Sequence, residues 1–352
     1  MTSSSLGFAI VGVGTIADFH ARAIQQVRDA RLVMAYSRSP DKTVTFASRF
    51  GIEAASSLEV LLQRKDIDVV CVTTPSGTHA EIAIPCLNAG KHVLCEKPLE
   101  IQLDRIDAMV IAAKKNKRHL AAVFQSRFGE GAQILKKAIR QKRFGRLTLC
   151  DAYIKWWRNQ DYYDSGVWRG TWELDGGGAL MNQGIHAIDL LQWLVGMPCE
   201  VSAQVATLAH SQIQVEDTAV AALRYPNGAL GVIEGTTSTW PGFLKRVEIS
   251  GDRGSAILED DRLIFWKFEK ETIEDDAIRA RASQASSIGG GVSDPKAIGI
   301  EGHRVQIQDL VDAIHQNRPP AISGEEGWKA VYLVLAIYQS AKAGQKVFLT
   351  GC

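Results

Sequence analysis

The N-terminal third of the chain switches repeatedly between two hydrophobic periods, and that switching restricts it to very few architectures. Leu6 to Gly12 (LGFAIVG) is an apolar run too short for a helix and bounded by glycine, so it reads as a buried parallel strand. After Gly14 the residues Ile16, Phe19, Ala23, Ile24 and Val27 recur at helical spacing. Leu32 to Tyr36 reads as a second strand, Asp41 to Phe50 as a helix, and the β-branched run Asp68 to Thr74 as a further strand. His79 to Ala89 is helical and closed by Gly90, although Pro85 inside it is expected to kink or restart the helix. Lys91 to Cys95 makes another strand. Such alternation implies right-handed βαβ units, hence an α/β fold with a doubly wound parallel sheet.

On that scaffold the turn Gly12-Val13-Gly14-Thr15-Ile16-Ala17 has a physical task. Gly12 permits the tight turn, Gly14 lets a pyrophosphate approach the backbone, and Ala17 allows close helix–strand packing. The helix that opens at Thr15 and Ile16 offers unsatisfied N–H groups and a favourable dipole to phosphate oxygens. With a strand before and an amphipathic helix after, the turn predicts dinucleotide binding. The second strand ends in Tyr36-Ser37-Arg38-Ser39, without the acid that usually binds both ribose hydroxyls of NAD. Ser37 and Arg38 suit a 2′-phosphate instead, so the cofactor is NAD(P), leaning towards NADP(H).

The length of 352 residues accommodates two domains, and 46% hydrophobic with 22% charged residues fits a globular protein. A net charge of +1 with scattered Lys and Arg argues against a nucleic-acid binder. No window approaches a membrane span, no basic leader precedes Leu6, and the six cysteines form no CxxC pair, so the expected location is the cytoplasm. From about residue 200 the pattern changes. Runs at 200–208, 216–225, 229–237, 245–251, 254–259 and 262–268 alternate at period two, and Tyr225-Pro226-Asn227-Gly228 reads as a hairpin in which Asn-Gly tolerates positive φ. Antiparallel pairing follows. The Ser/Gly-rich stretch 283–300 reads as a mobile loop, followed by helices over 303–315 and 325–343.

Between the halves lies an aromatic band. Tyr153, Trp156, Trp157, Tyr162, Tyr163, Trp168 and Trp172 are interleaved with Arg158, Asp161, Asp164 and Arg169. Flat apolar rings beside hydrogen-bonding groups suit a sugar ring. Tyr153, Trp156 and Trp157 read better as sheet filling, whereas Tyr163 is a candidate substrate contact and Trp168 and Arg169 are candidate ligand or cofactor contacts. Lys97 follows a strand, at the end where open α/β sheets bind ligands. Oxidising an alcohol requires removing its hydroxyl proton, and a lysine of lowered pKa can take it or return it. No group of histidines and carboxylates has the spacing of a catalytic metal site, so no metal is expected.

Four motifs together give a more specific signal: GVGTIA, the loop TTPSGTH (73–79), Glu96-Lys97-Pro98, and GGGALMNQGIHAIDLL (176–191). In these the chain resembles the Gfo/Idh/MocA oxidoreductases over nearly its whole length. The resemblance implies a Rossmann domain, 1–125, and a substrate-binding and oligomerisation domain, 126–352, on a large open, mainly antiparallel sheet. The C-terminal helix would pack back on the first domain. It also implies hydride transfer between nicotinamide and a hydroxyl or carbonyl carbon, a cis Lys97–Pro98 bond, and a homodimer or homotetramer formed through an apolar sheet face. The loop with Thr74, Pro75 and His79, together with Glu96, Lys97 and Gln125, would hold the cofactor, while Arg127 marks the domain crossing and faces substrate. Asn182 and His186, four apart on one helix face, would hold the reacting hydroxyl. Asn182 stands where the family commonly has Asp, so no proton relay through a carboxylate at 182 is available.

The resulting reading is an NAD(P)-dependent oxidoreductase acting on a sugar, cyclitol or sugar derivative, with Lys97 as acid/base. Two other readings compete. One is a redox-neutral glycoside-cleaving enzyme that retains its nicotinamide. The other is a non-catalytic dinucleotide-sensing regulator, which has no need of Lys97 and His186.

Overall fold

A computed structural model describes residues 5–284 and 299–350. The chain divides into two compact units, Met1–Gln125 with Gly299–Val331, and Ser126–Ile298 with Tyr332–Cys352.

The first unit is built on six parallel strands: β1 (Leu6–Val11), β2 (Ala30–Tyr36), β3 (Glu53–Ala54), β4 (Val69–Val72), β5 (His92–Cys95) and β6 (Leu120–Ala122). Their order is β3-β2-β1-β4-β5-β6, so the strand sequence reverses beside β1, between β1 and β4. Ligand crevices of open α/β sheets lie at such a switch. Helices α1 (Thr15–Ile24), α2 (Pro40–Phe50), α3 (Leu58–Gln63), α4 (His79–Asn88) and α5 (Leu103–Lys115) make the crossovers. β1 and β4 are buried along their whole length, which explains their unbroken apolar sequences. α4 runs unbroken through Pro85, contrary to the expected kink or restart. Pro85 forfeits one backbone donor there and still accepts from Ala89 N at 2.9 Å.

The second unit opens with α6 (Glu130–Arg140), β7 (Leu147–Lys155) and the short α7 (Gln160–Asp164). The helix expected to carry Asn182 and His186 begins with a π-helical turn, Ala179–Gly184, before α8 (Ile185–Val195). Strands β8 (Glu200–Ala206), β9 (Thr218–Arg224), β10 (Leu230–Thr236), β11 (Arg246–Gly251), β12 (Gly254–Glu259) and β13 (Arg262–Phe268) follow. α9 (Ile273–Gln284) was not legible in its charged sequence. The expected loop at 283–300 falls largely outside the described residues.

After α10 (Glu301–Gln316), whose buried side chains join the core of the first unit, α11 (Gly324–Ala343) leads to β14 (Val347–Phe348). The eight-stranded sheet has the order β13-β12-β11-β7-β10-β9-β8-β14, and every pair is antiparallel except β7–β10. In the β9–β10 hairpin Gly228 alone takes positive φ (+86°) and donates to Tyr225 O at 2.9 Å. Pro226 sets the turn, and Asn227 contributes its Oδ1 as acceptor for Ala229 N rather than a left-handed backbone. The exposed side of the sheet is mixed, not uniformly apolar. Leu149, Val220 and Leu230 share it with the ion pairs Lys155–Glu234 and Arg246–Glu259.

Candidate active site

In the first unit the glycine turn is shaped by its surroundings. Gly12 has φ +98°, and a Cβ there would lie 2.7 Å from Thr73 O, so only glycine fits. Thr73 Oγ1 donates to Gly12 O at 2.6 Å and ties the turn to the end of β4. Gly14 faces open space and is the N-cap of α1 without a side-chain cap; Ala17 N donates to Gly14 O at 3.1 Å, and the N–H groups ahead of Ala17 are left to a ligand. Ser37 Oγ shares a 2.7 Å hydrogen bond with Thr43 Oγ1, whereas Arg38 is exposed and makes no ion pair among the described residues.

The Lys97 loop is clamped from two sides. The Lys97–Pro98 bond is cis. Glu96 Oε2 accepts the backbone N–H of Lys97 at 3.0 Å, and Oε1 accepts from His20 Nε2 at 2.8 Å. His303 Nε2 lies 3.7 Å from the same Oε1. On the other side His79 directs Nδ1 at Pro98 O and Nε2 at Thr74 O, both at 2.9 Å, joining the 73–79 loop to the Lys97 loop. Burial pushes the Glu96 carboxyl up, but hydrogen bonds from His20 and His303 outweigh it and hold the group well below the usual range. Burial lowers His20, so this pair is an anionic carboxylate with a neutral imidazole whose proton sits on Nε2.

His20, Glu96 and His303 place two imidazoles and a carboxylate within 4.8 Å of one another, a set that in principle suits a metal ion. Their surroundings do not. Among the described residues neither His20 Nδ1 nor His303 Nδ1 has a hydrogen-bond partner, whereas a metal-binding imidazole normally donates its other N–H to an acceptor.

In the second unit Gly176-Gly177-Gly178 permits close approach of two other segments. A Cβ on Gly177 would strike Tyr338 Oη of α11, and one on Gly178 would strike Glu216 O ahead of β9. The buried Glu216 carboxylate accepts from Gly178 N and Leu180 N, each at 2.9 Å, and from Tyr338 Oη at 2.8 Å. It therefore caps the π turn that carries Asn182. Burial pushes the Glu216 carboxyl up to about 7 against these three donors. Asn182 Nδ2 donates to Asp175 Oδ1 at 2.6 Å, while Asp175 Oδ2 accepts from Gly170 N at 2.9 Å. His186 is half-buried on the first turn of α8.

Two family models match the chain. One, described as "Oxidoreductase family, NAD-binding Rossmann fold", spans residues 6–124, and the other, "GFO/IDH/MocA C-terminal domain", spans 132–257. The WlbA dehydrogenase from Bordetella pertussis, solved with NADH and UDP-GlcNAcA, superposes with a TM-score of 0.91 at 36% identity, covering 99% of both chains. The chain belongs to the GFO/IDH/MocA family. Myo-inositol 2-dehydrogenase of Thermotoga maritima is 27% identical over 97% of each chain. A levoglucosan dehydrogenase in complex with NADH and levoglucosan gives a TM-score of 0.84 at 25% identity, covering 98% of this chain and 99% of that one. The protein is thus an NAD-dependent dehydrogenase acting on CH–OH groups, as the sequence motifs implied.

Within this family member the site expectations distribute unevenly. Gly12, Gly14, Thr15, Ile16, Thr74, Pro75 and Lys97 lie together around the carboxyl ends of β1, β4 and β5. Gln125, after β6, keeps a buried Oε1 without a partner among the described residues. Tyr163 and Arg127 are turned inward. Tyr163 is buried, with its hydroxyl 2.7 Å from Thr237 Oγ1, and Arg127 forms a buried bidentate pair with Asp189 at 2.6 and 2.8 Å. The neighbour Tyr162 is the tyrosine beside the π turn. Its hydroxyl accepts from Gln183 Nε2 at 2.9 Å and from Arg169 Nη1 at 2.6 Å. Sequence reasoning also passed over His20, His303, Asp175, Glu216 and Tyr338. Only His20 and Asp175 left a trace, as a histidine on the apolar face of α1 and an acid immediately before the glycine triplet.

Proposed function

We propose that this enzyme oxidises a carbinol carbon of a sugar-type substrate, or reduces the matching carbonyl, with Lys97 moving the hydroxyl proton. The observation that carries this reading is the clamp on the Lys97 loop. A backbone N–H held by Glu96 and a Pro98 carbonyl held by His79 fix the lysine at the carboxyl end of β5. Acid/base catalysis needs that fixity, because proton transfer depends on hydrogen-bond reach before it depends on pKa. The glycine turn and the uncapped start of α1 fit a dinucleotide pyrophosphate. Nicotinamide, when bound, accepts or donates the hydride. His79 and Glu96 act by positioning Lys97, since their polar atoms are spent within the protein. Trp168 and Arg169 remain candidate contacts to ligand. Asn182, oriented by Asp175, and His186 orient the reacting hydroxyl.

NAD(H) is the working cofactor, supported by the NADH complexes of the structural neighbours. The leaning towards NADP(H) rests on Arg38 alone, because the Ser37 hydroxyl is held by Thr43. Separate titrations with NADH and NADPH decide it, and tighter NADPH binding that is lost in Arg38→Ala would restore the leaning. A homo-oligomer, formed through the mixed sheet face, is part of the same proposal and is read by light scattering. For the chemistry itself, turnover of myo-inositol, levoglucosan and UDP-GlcNAcA is followed by nicotinamide absorbance. Lys97→Ala is expected to reduce kcat by about 10²–10⁴-fold while NADH affinity stays within a few-fold. Turnover at the wild-type rate would remove Lys97 from the mechanism, and substrate loss without net nicotinamide change would replace a dehydrogenase by a redox-neutral enzyme.

A further inference from the structure

The tyrosine hydroxyls near the π turn use their protons differently. Tyr163 Oη shares a 2.7 Å hydrogen bond with Thr237 Oγ1, and Tyr338 Oη donates to Glu216 Oε1 at 2.8 Å. Tyr162 is arranged otherwise. Its oxygen accepts from Arg169 Nη1 at 2.6 Å and from Gln183 Nε2 at 2.9 Å, and the Arg158 guanidinium adds a further donor. A phenol oxygen has two lone pairs, so these donors saturate it. Its own O–H finds no acceptor among the described residues.

The half-buried phenol is also held in place. Asn159 Oδ1 accepts from Tyr162 N at 3.0 Å at the start of α7, and the Tyr163 ring packs edge-on at 5.2 Å. The Arg169 guanidinium stands 4.3 Å from the centre of the Tyr162 ring and 4.6 Å from that of Trp168. Burial pushes the Tyr162 phenol up, against the opposing pull of Arg169 and Arg158, so the group keeps its proton at neutral pH. Hydrogen bonds received from cations polarise that O–H and strengthen it as a donor. One O–H offers one hydrogen bond, the complement of a single hydroxyl oxygen rather than of the paired oxygens of a carboxylate. Gln183 directly follows Asn182 on the π turn, which ties the phenol to a residue that orients the reacting hydroxyl.

We propose that Tyr162 is a specificity-determining residue whose O–H hydrogen-bonds an uncharged hydroxyl oxygen of the substrate, other than the hydroxyl being oxidised. Arg169 and Gln183 orient it for that contact. The inference rests on the proposed function above and adds to it the side chain that reads a second hydroxyl. The ribose hydroxyls of the dinucleotide share the same chemistry and are the alternative source of the acceptor.

The test uses the NAD-loaded enzyme with myo-inositol, levoglucosan and UDP-GlcNAcA, each beside monodeoxy analogues that keep the oxidised carbinol. Nicotinamide absorbance gives kcat/KM for the wild type, Tyr162→Phe and Gln183→Glu. With the wild type, one analogue of an oxidised probe is expected to fall about 10–100-fold below its parent, the effect of leaving a donor unsatisfied. Tyr162→Phe is expected to bring the parent down to the level of that analogue, with NADH affinity within a few-fold. Gln183→Glu keeps the phenol but offers its O–H a carboxylate, and is expected to abolish the same discrimination. A wild type that does not discriminate, or a discrimination that survives either variant, overturns the role. So does a Tyr162→Phe enzyme that turns over neither parent nor analogue, which would leave the phenol structural. Loss of NADH affinity in Tyr162→Phe also overturns it and gives the phenol to the cofactor ribose. A wild type that binds NADH yet oxidises none of the parent probes sinks the proposed function, and this role with it. That failure shows in the wild type with parent probes alone, whereas failure of the Tyr162 role shows only in the analogues and variants.

Discussion

Two buried glutamates hold the two segments on which this enzyme's proposed chemistry depends, and they do so in opposite electrostatic states. Glu96 faces imidazole N–H groups and the Lys97 amide, and remains ionised far below neutrality. Glu216 faces two backbone N–H groups and a phenol, with the Tyr163 hydroxyl also nearby, and its carboxyl rises to about 7. Burial opposes the charge in both cases. The difference lies in the partners: two imidazoles and the Lys97 amide hold Glu96, whereas two backbone amides and a phenol hold Glu216. One clamp is therefore permanent and the other is sensitive to protons in the physiological range.

Removing the permanent clamp has the largest expected effect. Glu96→Ala leaves His20 Nε2 and the Lys97 amide without this acceptor, and a buried donor left unsatisfied costs about 1–3 kcal/mol. Denaturant unfolding reads that loss, and kcat at saturating NADH is expected to fall at least about 10²-fold because the lysine loses its fixed geometry. A variant of wild-type stability and turnover would show that Glu96 is not a clamp.

The proton-sensitive clamp predicts a pH profile. Because the folded-state value of Glu216, about 7, lies above the ordinary 4.5, the folded protein binds this proton more tightly than the unfolded chain. The associated stabilisation is complete below about 4.5 and is lost as pH rises through 7, a change of about 3 kcal/mol. Function moves the other way, since only the carboxylate offers both oxygens to Gly178 N and Leu180 N as full acceptors. Turnover is expected to rise through an acid limb near pH 7 that Glu216→Gln abolishes along with the stability slope. A variant that keeps the limb would assign it to another group.

The contrast also explains what could be read from the sequence. The Rossmann elements and the antiparallel runs were legible because each repeats a hydrophobic period over several residues, as in LGFAIVG and the β9–β10 hairpin. Lys97, Asn182 and His186 were legible because they sit inside short local motifs. Glu96 and His79 were legible for the same reason, though as cofactor contacts and not as a clamp, whereas the clamp on the π turn was not legible. Glu216 lies 38 residues from Gly178, and Tyr338 122 residues from Glu216, and nothing local in either segment declares the contact. The glycine triplet was the visible half of that packing, with its partners hidden by distance along the chain. Tyr162 and Tyr163 are adjacent, so which of them turns inward depended on the phase of α7, a five-residue helix too short to show a period.

The smallest change sharpens the comparison furthest. Tyr338→Phe removes one of the three donors to Glu216 while leaving both backbone N–H groups in place. Losing a donor to a carboxylate disfavours its charged form, so the Glu216 pKa must rise. A hydrogen bond to a charged group contributes about 1.5–3 kcal/mol at most, which corresponds to a shift of about one to two pH units. The acid limb of turnover is expected to move to higher pH by about that amount, with kcat on the alkaline plateau little changed, since the ionised carboxylate still caps the π turn. A merely structural tyrosine would lower the plateau and leave the limb where it was. The corresponding deletion at the other clamp, His20→Ala, should leave the limb unmoved, because the limb belongs to Glu216 and none of its three donors is touched.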